Sequence, residues 1–216
     1  MSAPSFLGIG VPRAGTTWLY NVLMLHPQIW MPPLKELHYF DVLDPTVNRN
    51  SFRKKHILSR IKHNLAFITS SFWNKFQPKV ASNIKIDLYF DLYFLLSGYT
   101  FNENMYKNLF KRNYYLTGEI TPSYSLLSKS YIKKMTQIND NIKILLLIRN
   151  PIDRSWSHTV KVLAREKGKN IEEVSEEKII NYLNTSELYN CSNYPKIINN
   201  YLSCIDRNQL YIGYYD

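Results

Sequence analysis

Three short stretches of this chain concentrate the residue types that could hold an anion and move a proton. The first is Gly10-Val11-Pro12-Arg13-Ala14-Gly15-Thr16-Thr17, with a glycine at each end of a turn, an arginine inside it and hydroxyl residues after it. Such a loop suits phosphate-like oxygens, because glycines let backbone N–H groups close around them and a following helix adds its positive N-terminus. It keeps the frame of a nucleotide-binding P-loop, but Thr16 stands where that loop carries its lysine. The usual cation for a triphosphate is missing, and Arg13 is the cation instead. The second stretch, Lys35-Glu36-Leu37-His38-Tyr39-Phe40-Asp41, follows Pro32-Pro33. Ionisable groups gathered this near an anion loop are candidates for proton transfer. A solvated Lys35–Glu36 pair and a hydrogen-bonded core histidine at His38 are the plainer readings. In the third stretch, Arg149-Asn150-Pro151-Ile152-Asp153-Arg154-Ser155-Trp156-Ser157, an arginine and a hydroxyl could grip a phosphate monoester. The alternative for Arg149 is a structural salt bridge.

These groups need elements that bring them to one place. The apolar residues from Phe6 read as a strand entering the first loop, and Thr16 to Leu25 as a helix that stops at His26-Pro27. Ile142 to Ile148 is a continuous apolar run, the pattern of a buried parallel strand. Asn150 is a good N-cap, Pro151 fits a first helical turn and Asp153 complements the positive helix end. Arg149 thereby lies at the carboxyl end of a core strand, the edge where open α/β sheets bind ligands. Ser157, about two turns into the helix, can still face the same crevice. Tyr114 to Glu119 reads as another strand and Lys129 to Met135 as a helix. Helices over Ile171–Leu183 and Tyr194–Ile205 precede a last strand, Gln209 to Tyr215. The pattern predicts an α/β fold, a single domain over residues 1–216 with a central parallel sheet flanked by helices in P-loop-type topology. Arg154 and Trp156 read as packing or surface residues.

With 216 residues, 45% of them hydrophobic, the chain can bury one good core. The net charge of +10 favours anionic partners, although much of it can be solvated surface. Basic and aromatic residues interleave from Arg49 to His63, as in some nucleic-acid footprints. No such module is recognisable, acidic residues return at Asp87 and Asp91, and no nucleic-acid partner is expected. Cys191 and Cys204 form neither a disulfide framework nor a metal pattern, so they read as reduced thiols and no metal is expected. No leader-like segment precedes the first strand, and the longest apolar run is too short to cross a bilayer. The expected location is cytoplasmic.

Val11-Pro12-Arg13-Ala14-Gly15-Thr16-Thr17-Trp18-Leu19 resembles the 5′-phosphosulfate loop of sulfotransferases that use 3′-phosphoadenylyl sulfate (PAPS), whose usual form is Pro-Lys-x-Gly-Thr-Thr-x-Leu. Glu36 to Asp41 is similar to the Glu-x-His-Phe-Phe-Asp segment of heparan-type members. Arg149 to Ser157 resembles the family's Arg-[Asp/Asn]-Pro-x-x-Arg-x-x-Ser. The resemblance implies transfer of a sulfuryl group from PAPS to a hydroxyl or amine of a carbohydrate or small molecule. By it, Arg13 and the amides of Ala14, Gly15, Thr16 and Thr17 hold the phosphosulfate, and Arg149 and Ser157 hold the 3′-phosphate. Glu36 is the base, with His38 beside it, and no metal takes part. Residues 42–112 would shape the acceptor cleft. Ile120 stands where heparan-type enzymes have an active-site lysine, which weakens heparan sulfate as the acceptor. Relatives continue into a basic glycine-rich loop over the 3′-phosphate, so the resemblance also implies a short or truncated chain. The rival readings are a P-loop nucleotide kinase or NTPase and a non-catalytic anion- or nucleic-acid-binding protein.

Overall fold

A computed structural model describes residues 3–32, 35–47, 103–112, 115–165 and 168–216. Five strands pair side by side in the order β2-β3-β1-β4-β5, every pair parallel: β1 (Phe6–Gly10), β2 (Ile29–Trp30), β3 (Leu116–Ile120), β4 (Lys143–Ile148) and β5 (Leu210–Tyr214). Parallel pairing puts all five carboxyl ends on one edge, so the segments after Gly10, Trp30, Ile120, Ile148 and Tyr214 gather there. β1 is central and buried along its whole length, flanked by β3 with Leu7 opposite Glu119 and by β4 with Leu7 opposite Ile144.

The strand alternation sorts the core into two layers. Leu7, Ile9, Ile144 and Leu146 face the larger layer, with Tyr124, Ile132, Met135 and Tyr201. Phe6 and Ile120 face the smaller one, beneath α1 (Thr16–Leu25), with Tyr20 and Met31. Ile120 is therefore a core residue, and its side chain belongs to the layer under α1. On the other layer lie α4 (Lys129–Thr136) and α8 (Tyr194–Leu202), packed together. Two short helices serve the functional edge: α2 (Tyr39–Leu43), and α3 (Glu103–Leu109), whose Tyr106 ring stacks on Tyr39 at 4.4 Å.

α5 (Pro151–Leu163) begins as its sequence dictates: the Asn150 side chain accepts from Ile152 N at 2.9 Å and Pro151 occupies the first turn. The C-terminal region departs from the expected pair of helices. Ile171–Glu173 is a single 3₁₀ turn, and the chain restarts as α6 (Glu176–Leu183), α7 (Ser186–Ser192) and then α8. Val174 and Thr185 are extended, and Ser175 and Thr185 stand at the N-cap positions of the new helices, so polar residues within an apolar-periodic stretch divide it. Arg154 is fully buried and does a structural job. Its guanidinium donates to Ser192 Oγ at 2.8 Å, Leu188 O at 3.1 Å and Ser155 Oγ at 3.0 Å, fastening α7 to α5. Trp156 is 46% exposed. Both cysteines are free thiols. No helix among the described residues is long and apolar enough to cross a membrane.

Removing the Asn150 cap tests the start of α5. Asn150→Ala should lower stability by about 1 kcal/mol, a fall of roughly 2–4 °C in Tm for a chain of this size, read by thermal unfolding. An unchanged Tm would show that the cap contributes nothing.

Candidate active site

The carboxyl edge of the sheet borders a cavity of about 1050 Å³. Its floor begins at the first loop. Val11 N donates to Leu147 O at 2.7 Å, tying the loop to β4, and Ala14 N donates to Val11 O at 3.2 Å, closing the turn. Arg13 and Gly15 both lie in the left-handed region, at φ 73° and 74°. Glycine is needed at position 15 for a second reason: a Cβ there would run into the ring of Tyr215. Gly15 caps α1 without a side-chain hydrogen bond, and the first turn holds no acidic residue. The positive end of α1 is thus left for an external anion.

Arg13 reaches across to α5, where its Nε donates to Ser157 Oγ at 3.0 Å. Burial lowers the Arg13 pKa, and the charges of Arg165 and Arg149 lower it further. Arg13 thus carries its charge in a field of like sign, a cost that an anion beside it would relieve. Arg149 is placed by its backbone: its carbonyl accepts from Tyr194 Oη at 2.6 Å, and its Cζ lies 5.8 Å from the Tyr215 ring centre.

Opposite this cationic wall runs the segment Lys35–His38. Glu36 and His38 take positive φ, 65° and 55°, which is uncommon for residues with a Cβ and is associated with functional sites. The segment hangs from the end of β3. Glu36 N donates to Ile120 O at 3.2 Å, Leu37 N to Glu119 Oε2 at 3.3 Å, and Tyr39 N to the Tyr124 hydroxyl at 3.0 Å. The side chains form a row of alternating charge. Lys35 Nζ is 2.5 Å from Glu36 Oε1, and His38 Nε2 is 3.5 Å from Glu36 Oε2. His38 Nδ1 is 2.7 Å from Asp41 Oδ2, which also accepts from Ser123 Oγ at 2.6 Å. Burial opposes ionisation of Glu36, but the His38 hydrogen bond and the Lys35 charge outweigh it and hold its pKa well below the usual carboxylate range. Burial likewise opposes charge on His38, and Asp41 and then Glu36 overcome it, raising the imidazole to about 9. At neutral pH Glu36 is therefore a carboxylate and His38 an imidazolium, with Lys35 and Asp41 beside them.

Eight of the nine residues marked out by sequence border this one cavity: Arg13, Gly15, Thr16, Thr17, Glu36, His38, Arg149 and Ser157. Ala14 does not. It is fully buried, and its N–H donates to Val11 O within the turn. Trp156 is not among the cavity-lining residues either. Residues 48–102, most of the stretch expected to shape an acceptor cleft, lie outside the described residues. Lys35, read from the sequence only as a solvated partner of Glu36, borders the cavity too, as do Ser123 and Tyr215, which sequence reasoning passed over. The signal was available for the last two: Ser123 lies three residues past the end of β3, and Tyr215 directly follows β5. Among the described residues no group of three or more His, Cys, Asp or Glu is placed to hold a metal ion.

The His38 assignment is testable by titration. Its pKa is raised on folding, so its contribution to stability is fully present below 6.5 and is lost as pH rises through about 9. NMR should show an imidazole titrating near 9, and Asp41→Asn should bring that midpoint down. Between pH 6.5 and 9 the wild type should lose stability that His38→Gln does not lose. A midpoint near the ordinary 6.5 would contradict the ion-pair row.

Comparison with known proteins bears on the fold and the family. A solved sulfotransferase from Alicyclobacillus acidocaldarius is similar in fold, with a TM-score of 0.60 and 21% identity over 99% of this chain and 74% of that one. The sulfotransferase domain of the curacin biosynthetic pathway aligns with 99% of this chain and 67% of its own, at a TM-score of 0.49 and 18% identity. That of the Synechococcus PCC 7002 olefin synthase aligns with 98% and 66%, at 0.48 and 15%. No curated protein sequence matches the chain. The model of the sulfotransferase family matches residues 4–189, which include the loop at Arg13, the segment at Glu36, and Arg149 with Ser157. With that match over most of its length, the chain belongs to the sulfotransferase family.

Proposed function

We propose that this protein transfers the sulfuryl group of PAPS to a hydroxyl or amine of a carbohydrate or small-molecule acceptor. The observation that carries the reading is the meeting of Arg13 and Ser157 at 3.0 Å on a cavity that Arg149 and Glu36 also border. PAPS is an anion at two places, a 5′-phosphosulfate and a 3′-phosphate, and the cavity offers a cation to each. The amides of Gly15, Thr16 and Thr17 at the start of α1, with the Arg13 guanidinium, suit the 5′ group. Arg149, following β4, and Ser157, on the helix after it, suit the 3′ group. When bound, PAPS supplies an activated sulfuryl group and a bisphosphate leaving group.

The remaining chemistry is proton transfer and positioning. The acceptor proton becomes acidic only as its oxygen or nitrogen bonds to sulfur, so a carboxylate of low basicity such as Glu36 can receive it late in the step. Lys35 and His38 fix that carboxylate in place on either side. Arg13 and the α1 amides stabilise the charge that develops on the leaving phosphate oxygen. The acceptor is held in line with the breaking S–O bond by the cavity wall on the Glu36 side, so rate comes from orientation as much as from charge. A non-catalytic anion-binding role leaves the Glu36 row without a task.

Incubating the protein with PAPS and a metabolite and glycan library, followed by mass spectrometry, identifies the acceptor. Glu36→Gln keeps size and hydrogen bonding but removes the basic oxygen, and should lower turnover about 10²–10⁴-fold while leaving affinity for adenosine 3′,5′-bisphosphate unchanged. Arg13→Ala should lose turnover and nucleotide affinity together. Near-normal turnover in Glu36→Gln would remove Glu36 as the base.

A further inference from the structure

We infer that Glu119, a buried carboxyl at the end of β3, is the positioning residue that holds the proton-accepting segment in its working geometry. The inference rests on the reading of Glu36 as base, and goes beyond it by naming what aims that base. Glu119 is 1% exposed and lies on the sheet beside the cavity without being one of the residues that line it. Each of its oxygens takes two donors. Oε1 accepts from the Tyr106 hydroxyl at 2.5 Å and the Tyr124 hydroxyl at 2.9 Å. Oε2 accepts from Thr121 Oγ1 at 2.8 Å and from Leu37 N at 3.3 Å.

The last of these bonds is the informative one. Leu37 lies between Glu36 and His38, the two residues with positive φ. A left-handed residue with a Cβ persists only where its surroundings over-determine it. Here successive anchors do so: Ile120 O on the amide of Glu36, Glu119 on the amide of Leu37, and the Tyr124 hydroxyl on the amide of Tyr39. Tyr124 is itself tied to Glu119, and Tyr106 bonds Glu119 while stacking on Tyr39. One carboxyl thus organises both aromatic supports and the central amide. A buried carboxyl filling all its acceptor sites is costly to place unless every donor is present, so the arrangement locks as a unit. With the anchor gone, the segment relaxes towards ordinary φ values and the Glu36 carboxylate swings away from the reacting atom. Misplacement of about 1 Å is enough to cost about 10²-fold in rate.

The test is Glu119→Gln in the full chain. A glutamine keeps the volume but turns an N–H group towards donors, breaking the bond to Leu37 N or to a tyrosine. Hydrogen exchange by mass spectrometry needs no acceptor: peptides covering residues 35–41 should exchange about tenfold faster or more, while β1 and β4 keep their protection. With the acceptor from the library screen, kcat should fall tenfold or more at unchanged KM for PAPS. Calorimetric affinity for adenosine 3′,5′-bisphosphate should stay within twofold. Tyr124→Phe is the second variant, should Glu119→Gln fail to fold. It keeps the ring in the core but removes both the Glu119 donor and the acceptor for Tyr39 N, and should give the same local pattern. Wild-type exchange at residues 35–41 in the variant that folds overturns the inference. So does loss of protection across the whole sheet with loss of bisphosphate affinity, since Glu119 would then be part of the general scaffold. Glu36→Gln in parallel separates the two claims: normal turnover there sinks the base assignment, while the exchange result still decides the anchor.

Discussion

The Arg13 guanidinium, hydrogen-bonded to Ser157 at the carboxyl edge of the sheet, feels the like charges of Arg149 and Arg165, and the rest of the site is arranged around that crowding. A parallel sheet makes the crowding possible, because each strand ends on the same edge and hands its next residues to the same cavity. β1 delivers the loop with Arg13, β4 delivers Arg149, and α5 swings Ser157 back to meet the Arg13 guanidinium. Part of the charge is countered within the protein, by hydroxyl oxygens and by the face of Tyr215. The rest would be countered by the two anionic groups of the proposed donor. The same logic fits α1 starting on a bare glycine with no acidic residue: a side-chain cap would compete for the amide end that the proposed donor would need.

The opposite wall solves the converse problem, how to keep a carboxylate ionised and aimed in a mostly buried setting. Lys35 and His38 hold Glu36 from two sides, and His38 is in turn fixed by Asp41 and Ser123. Each of these groups would be costly to bury alone. Together they form a row in which every charge sits beside its opposite. Its backbone adopts left-handed conformations that the sequence Lys-Glu-Leu-His would not choose in isolation, so the geometry must come from the β3 end beneath it.

That division marks how much could be read from the chain. The strand–loop–helix at Phe6–Leu25 and the strand–turn–helix at Lys143–Leu163 were legible because apolar periodicity, capping residues and glycines all agree there. The residues they carry at the sheet edge were legible with them. The helices after Ile171 were blurred, since apolar spacing continues through the breaks and only the polar residues at Ser175 and Thr185 mark them. The turned-in amide of Ala14 and the left-handed backbone at Glu36 and His38 were not legible, because both are set by hydrogen bonds within the folded loop or to distant residues. Glu119 and Tyr124 read as ordinary strand and loop residues for the same reason. Their importance lies in partners more than eighty residues away in sequence, Leu37 and Tyr39.

The claim on which everything else depends is that the cavity reads two separate anions, one at the α1 loop and one at Arg149. Isothermal titration calorimetry with adenosine 3′,5′-bisphosphate and with ADP, on the wild type and on Arg149→Ala, tests it most directly. A charge-assisted contact to the 3′-phosphate is worth about 1.5–3 kcal/mol, about one to two orders of magnitude in affinity. The wild type should therefore prefer the bisphosphate by that factor, and Arg149→Ala should lose most of the preference while ADP binding changes little. Equal affinity of the wild type for the two nucleotides would contradict the account.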